Sequence, residues 1–153
     1  MTTPELVQAL KMRKDALLIT YGCIGERMGG DAENNASFVN RILQEKYSMS
    51  LSMLIQIAGA LEMDVCVSDR KNEMPLKVNK YCPIWRMADA IMDEENGKEW
   101  KIGDVARKTK VNTETIRKWY ECDSEPRLKI LQKYLDGMGL EIVLREREAA
   151  ISA

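Results

Sequence analysis

Apolar and polar positions alternate with a helical period between residues 37 and 67, and the same alternation returns between 114 and 144. SFVNRIL (37–43) lies over ETIRKWY (114–120), and, without a gap, LSMLIQIAGALEMDVCV (51–67) lies over LKILQKYLDGMGLEIVL (128–144). Leu51 then meets Leu128, Leu54 meets Leu131, Ala58 meets Leu135, and Leu61 meets Met138. Val65, Cys66 and Val67 meet Ile142, Val143 and Leu144. Upstream, CIGERMGG (23–30) fits over DVARKTKV (104–111) once the extra residues DAENN are allowed in the first copy. Identities are few; the repeat lives in its apolar positions.

Each copy predicts the same order of elements. A helix opens with proline near its first turn, at Pro4 in one copy and Pro83 in the other. Its apolar face is Leu6, Val7, Leu10 and Leu17 in the first copy. In the second it is Trp85, Met87, Ala88, Ile91 and Met92. A short helix follows (about 21–28 and 102–109), then a turn, a second short helix and a longer amphipathic helix. A brief β-prone run, DVCV or EIVL, closes each copy. Between them, residues 68–82 are polar with a single proline and read as a linker.

Composition narrows the chemistry. The 153 residues are 45% hydrophobic and 31% charged, which suits one or two small globular domains. No apolar run approaches the ~18 residues of a membrane span, and the charges spread through 1–19 read as an amphipathic helix, not a signal peptide. Cys23, Cys66, Cys82 and Cys122 are far apart and read as reduced thiols of a cytoplasmic protein. Histidine is absent, which removes the commonest general base and zinc ligand together. The expectation is a non-enzyme with no catalytic residues, no metal site and no cofactor. A formal net charge of -1 means that any nucleic-acid binding must come from a local patch. One exists. Lys101, Arg107, Lys108, Lys110, Arg117 and Lys118 stand against only Asp104 and Glu114 in that stretch.

The order helix, short helix, turn, short helix, amphipathic helix resembles the phage-repressor-like (Cro and XRE-type) helix-turn-helix family. In the second copy the resemblance rests on Val105-Ala106, Val111, Thr115-Ile116, Trp119, Pro126 and the helix LKILQKYLDGMGLEI. In the first it rests on Ile24-Gly25, Val39, Ile42-Leu43 and LSMLIQIAGALEMDV. Ala106 stands where the family uses a small residue to let the two short helices touch. The closing strand is similar to that of antitoxin-type regulators, where it helps to pair subunits. The resemblance implies a mainly α fold with two tandem lambda-repressor-like helix-turn-helix domains, each closed by a short β-strand. A divergent domain would span 1–68, a linker 69–82, the main DNA-reading domain 83–148 and a tail 149–153.

A helix in the major groove needs hydrogen-bonding side chains for base edges near its start and cations beside it for phosphates. Asn112 is a good N-cap for such a helix. Thr113, Glu114, Arg117 and Lys118 then face outward as base-reading candidates, while Ile116 and Trp119 face the core. Arg117 suits the O6 and N7 atoms of guanine, and Glu114 suits a cytosine amine. Lys101, Arg107, Lys108, Lys110 and Asn112 are the phosphate candidates. The first copy offers a weaker set: Asn35, Ser37, Asn40, Arg41 and Gln44. Its turn carries Asp31 and Glu33, which repel phosphate, and the longer turn is expected to re-aim the helix.

A lone closing strand must find another edge. The two strands pair with each other, making the monomer a pseudo-dimer, or each pairs across a two-fold axis in a homodimer; the homodimer is favoured. The expected function is a sequence-specific transcriptional regulator, a repressor of bacterial or mobile-element origin that binds double-stranded DNA in the cytoplasm. The alternative is an antitoxin- or inhibitor-like module whose first domain binds a protein partner. The insertion DAENN, the near-neutral charge and the ten methionines favour that alternative.

Overall fold

The structure, a computed structural model, describes residues 2–44, 49–69, 76–77, 101–121 and 126–147. Four helices come first: α1 (Thr3–Ala16), α2 (Tyr21–Met28), α3 (Ala32–Leu43) and α4 (Leu51–Ala60). Strands β1 (Met63–Asp69) and β2 (Leu76–Lys77) follow. Three more helices, α5 (Ile102–Thr109), α6 (Thr113–Tyr120) and α7 (Leu128–Gly137), lead to β3 (Leu140–Glu146). The described chain is thus mainly helical with one small sheet. The helix expected from Pro83, with Trp85 and Met87, lies outside the described residues, as do Trp100, Cys82 and Cys122.

Local sequence explains where the helices begin. Thr2 and Glu5 form a reciprocal capping box, with Pro4 in the first turn of α1. Asp31 caps α3 by accepting from the Asn34 N–H, and Ser50 caps α4 by accepting from the Met53 N–H. Leu6, Val7 and Leu10 turn one stripe of α1 inward. Leu54, Ile57, Leu61, Leu131, Leu135 and Met138 do the same for α4, α7 and the residues that end them. The carboxy-terminal carbonyls of α4 have distant donors: Arg13 Nε reaches Leu61 O at 3.1 Å and Arg27 Nη1 reaches Ala60 O at 2.9 Å.

The sheet has the order β2-β1-β3, and both pairings are antiparallel. Across β1 and β3, Val65 faces Leu144, Cys66 faces Val143 and Val67 faces Ile142. Val65, Val67, Leu140 and Ile142 are buried on the side where α4 packs on β1 and α7 on β3. The two closing strands therefore satisfy each other within one chain. The homodimer expectation rested on strands in need of an edge; β1 and β3 meet that need for the edge they share, with β3 at the border of the sheet. Leu76 and Lys77, assigned to the linker by their polar surroundings, form β2 against Val67 and Cys66.

The pairing carries a symmetry. Cys66 and Val143 are 77 residues apart, the same separation that lays Leu51 over Leu128. A second contact obeys the same rule: Ser50 bridges Arg127, also 77 residues on. There the Leu51 N–H donates to Pro126 O and the Leu128 N–H donates to Met49 O, a reciprocal exchange. Two separate pairings, each centred on equivalent residues, define one pseudo-two-fold axis. The same element pairs touch in both halves: α2 with α3 and α4, and α5 with α6 and α7.

The inserted residues in the first half do not make a longer turn. Three residues, 29–31, join α2 to α3, and three, 110–112, join α5 to α6. Instead, α3 begins one turn earlier, with Asp31 as its cap and Glu33 in its first turn. That extra turn lies against Gly25, where an added Cβ would stand 2.5 Å from Ala32 O and 2.9 Å from Ala36 N. Gly25→Ala is expected to lower stability by about 1–3 kcal/mol through overpacking. Gly22→Ala, whose Cβ would meet only Thr20 Oγ1 at 3.6 Å, should be neutral or gain roughly 0.5–1 kcal/mol. Urea unfolding of both variants tests the close approach of α2 and α3; equal stabilities would contradict it.

Candidate nucleic-acid interface

The second half presents α5, a three-residue turn and α6. Val105 and Thr109 bury one side of α5. Thr109 Oγ1 donates to Val105 O at 2.7 Å and accepts from the Val111 N–H at 3.3 Å, so a buried hydroxyl fixes the start of the turn. Lys110 closes α5 in the left-handed region at φ 60, and Val111 returns to the core. Asn112 then caps α6, its Oδ1 accepting from the Glu114 N–H at 2.8 Å.

Helical periodicity divides α6 into two faces. Ile116 and Trp119 are buried, at 0% and 2% exposure. The Trp119 ring meets Tyr134 of α7 edge to face, with centroids 5.6 Å apart. Opposite them, Thr113, Glu114, Arg117 and Lys118 are all exposed, which puts the four base-reading candidates on one surface. Lys101, Arg107, Lys108, Lys110 and Asn112 are exposed as well, on α5 and the turn beside them. All nine side chains expected to contact DNA in the second half are thus exposed, four of them on the outer face of α6.

Arg107 and Arg117 already have carboxylate partners. Arg107 Nη2 donates to Asp104 Oδ1 at 2.5 Å. Arg117 forks onto Glu114, with Nε to Oε2 at 3.1 Å and Nη2 on Oε1, and reaches Glu121 at 3.4 Å. The hydrogen bond from Arg117 holds the Glu114 carboxyl below its ordinary range, and Glu114 in turn raises the guanidinium. Both side chains remain about half exposed, so water competes for these contacts. The i,i+3 and i,i+4 spacing of Glu114, Arg117 and Glu121 is visible in the sequence, yet the clamp it forms was not part of the expectation.

The first-half candidates divide. Ser37, Arg41 and Gln44 are exposed. Asn40 is half-buried, and its Oδ1 accepts from Gln44 Nε2 at 2.7 Å. Asn35 is turned inward, its Nδ2 donating to Gly25 O at 3.2 Å and Gly29 O at 2.6 Å, where it pins the turn to α3. Asn35 and Asn112 occupy equivalent places 77 residues apart, and each organises its own turn. A helix that extends one turn past Asn35 needs a different cap, so the asparagine binds backward instead.

Cys66 is buried in β1 and Cys23 is half-buried on α2. No helix among the described residues is long and apolar enough to cross a membrane. The chain matches no protein-family model, no curated protein and no solved structure.

The caps offer a direct check. Asn112→Ala should cost about 1 kcal/mol of stability and Asn112→Asp should keep most of it, since either side chain oxygen can accept from the first-turn amide. Denaturant unfolding with circular dichroism gives both values; no loss in the alanine variant would contradict the capping geometry.

Proposed function

We propose that the chain is a sequence-specific DNA-binding regulator, built from two tandem helix-turn-helix units of phage-repressor type, with α6 as the main reading helix. The observation that carries this reading is a set of exposed side chains. Thr113, Glu114, Arg117 and Lys118 are exposed on α6, and Lys101, Arg107, Lys108 and Lys110 are exposed on α5 and at its two ends, in a chain of net charge -1. Cations beside an exposed polar helix start are what phosphate positioning and base-edge contact require together. No cofactor enters this reading, and repression would follow from occupying a promoter.

In such a complex Arg117 exchanges Glu114 and Glu121 for a guanine edge, leaving Glu114 to accept from a cytosine amine. Lys101 and Lys110 meet phosphates, contributing affinity without sequence information. A second reading, an antitoxin- or inhibitor-like module that binds a protein through its first half, is favoured by one feature. Exposed Glu26, Asp31 and Glu33 lie on α2, at the cap of α3 and in its first turn. On the equivalent surface of the second half stand cations.

Binding to a duplex enriched from a random-sequence pool, compared with a scrambled duplex across a salt series, tests the proposal. Arg117→Ala should lose roughly tenfold or more on the enriched duplex and little on the scrambled one. Lys101→Gln should weaken both alike and reduce the salt slope by about one unit. Failure to bind any duplex at low salt would overturn the proposal and turn attention to a protein partner.

A further inference from the structure

The two candidate reading helices are related by the axis that the strands define. Rotation about a two-fold axis leaves height along that axis unchanged, so α3 and α6 face the same end of the molecule. At the 77-residue separation, Ser37 corresponds to Glu114, Asn40 to Arg117 and Arg41 to Lys118. Ser37 and Arg41 are exposed, as are Glu114 and Lys118. The phosphate side is not shared. Along α2 and α5, which start 81 residues apart, Lys101, Arg107, Lys108 and Lys110 correspond to Thr20, Glu26, Arg27 and Gly29. Of these, Thr20 accepts from the Cys23 N–H, and Arg27 donates to Ala60 O to close α4. The first half therefore keeps two exposed polar positions of the reading helix, Ser37 and Arg41, and lacks most of the phosphate cations of the second.

Resting on the DNA-binding reading above, we infer that one chain spans a two-part, non-palindromic duplex site by itself. In this arrangement α6 anchors one half-site with most of the phosphate contacts. Its pseudo-symmetric partner α3 reaches the neighbouring stretch of major groove, about one helical turn or ~34 Å along the duplex. A homodimer carries two identical heads and selects inverted repeats. A chain with two different heads selects two different half-sites, and Arg41 is the residue expected to report on the weaker one.

The probe is a 30-base-pair duplex enriched by the wild-type protein from a random pool. Native mass spectrometry should find one chain on each duplex. Hydroxyl-radical footprinting should find two protected patches about ten base pairs apart, one stronger than the other. Arg41→Ala should lower affinity for this duplex about 3–10-fold and erase the weaker patch. On a duplex that keeps only the stronger half, the same variant should bind like wild type. Two chains per duplex, a single protected patch, or no effect of Arg41→Ala would overturn the inference while leaving DNA binding intact. Enrichment of no duplex would overturn both it and the function on which it rests.

Discussion

Everything in this fold hangs on the antiparallel pairing of β1 with β3. Each strand brings a row of backbone donors and acceptors that cannot be buried unpaired. Each also carries one apolar face, Val65 and Val67 or Leu140 and Ile142, under the helix that precedes it. Pairing the strands satisfies the backbone groups along their shared edge and joins the two small cores in one step. It also fixes the pseudo-two-fold axis, because the register is centred on Cys66 and Val143. The Ser50–Arg127 bridge repeats that centring at the start of α4 and α7. The disposition of α3 relative to α6 is thus a consequence of strand register.

Most of the scaffold was legible because it rests on side-chain periodicity. The apolar stripes gave the bounds of α2 and α5 and the inward faces of Trp119 and Ile116, and Asn112 announced its cap. What was not legible rests on contacts without local signature. Backbone hydrogen bonds carry no sequence information, so nothing in DVCV or EIVL said whether the partner strand lay in the same chain. The closure of α4 by Arg13 and Arg27 joins residues 48 and 33 apart, beyond any helical spacing. DAENN looked like turn material because asparagine and aspartate favour turns. Asp31 instead serves as a cap, and the residues after it extend α3 over Gly25. Leu76 and Lys77 sat in a polar stretch whose alternation is too short to read as a strand.

The two halves show how one frame tolerates divergence on its outside. Their buried positions stay apolar at matched places, since any change there opens a cavity or a clash. Their outer surfaces are under no such constraint. The cations of α5 give way to Glu26 and Gly29, and Arg27 is redirected to a structural carbonyl. Arg117 of α6, held between Glu114 and Glu121, faces outward where Asn40 of α3 is bound to Gln44.

The two halves close on each other within a single chain. An isotope-filtered nuclear Overhauser experiment on a mixture of labelled and unlabelled protein tests it directly. Cross-strand contacts between Val65 and Leu144, Cys66 and Val143, and Val67 and Ile142 should arise entirely within labelled chains. The same contacts detected between labelled and unlabelled chains would show that β1 and β3 pair across a homodimer, and would contradict the single-chain pseudo-dimer.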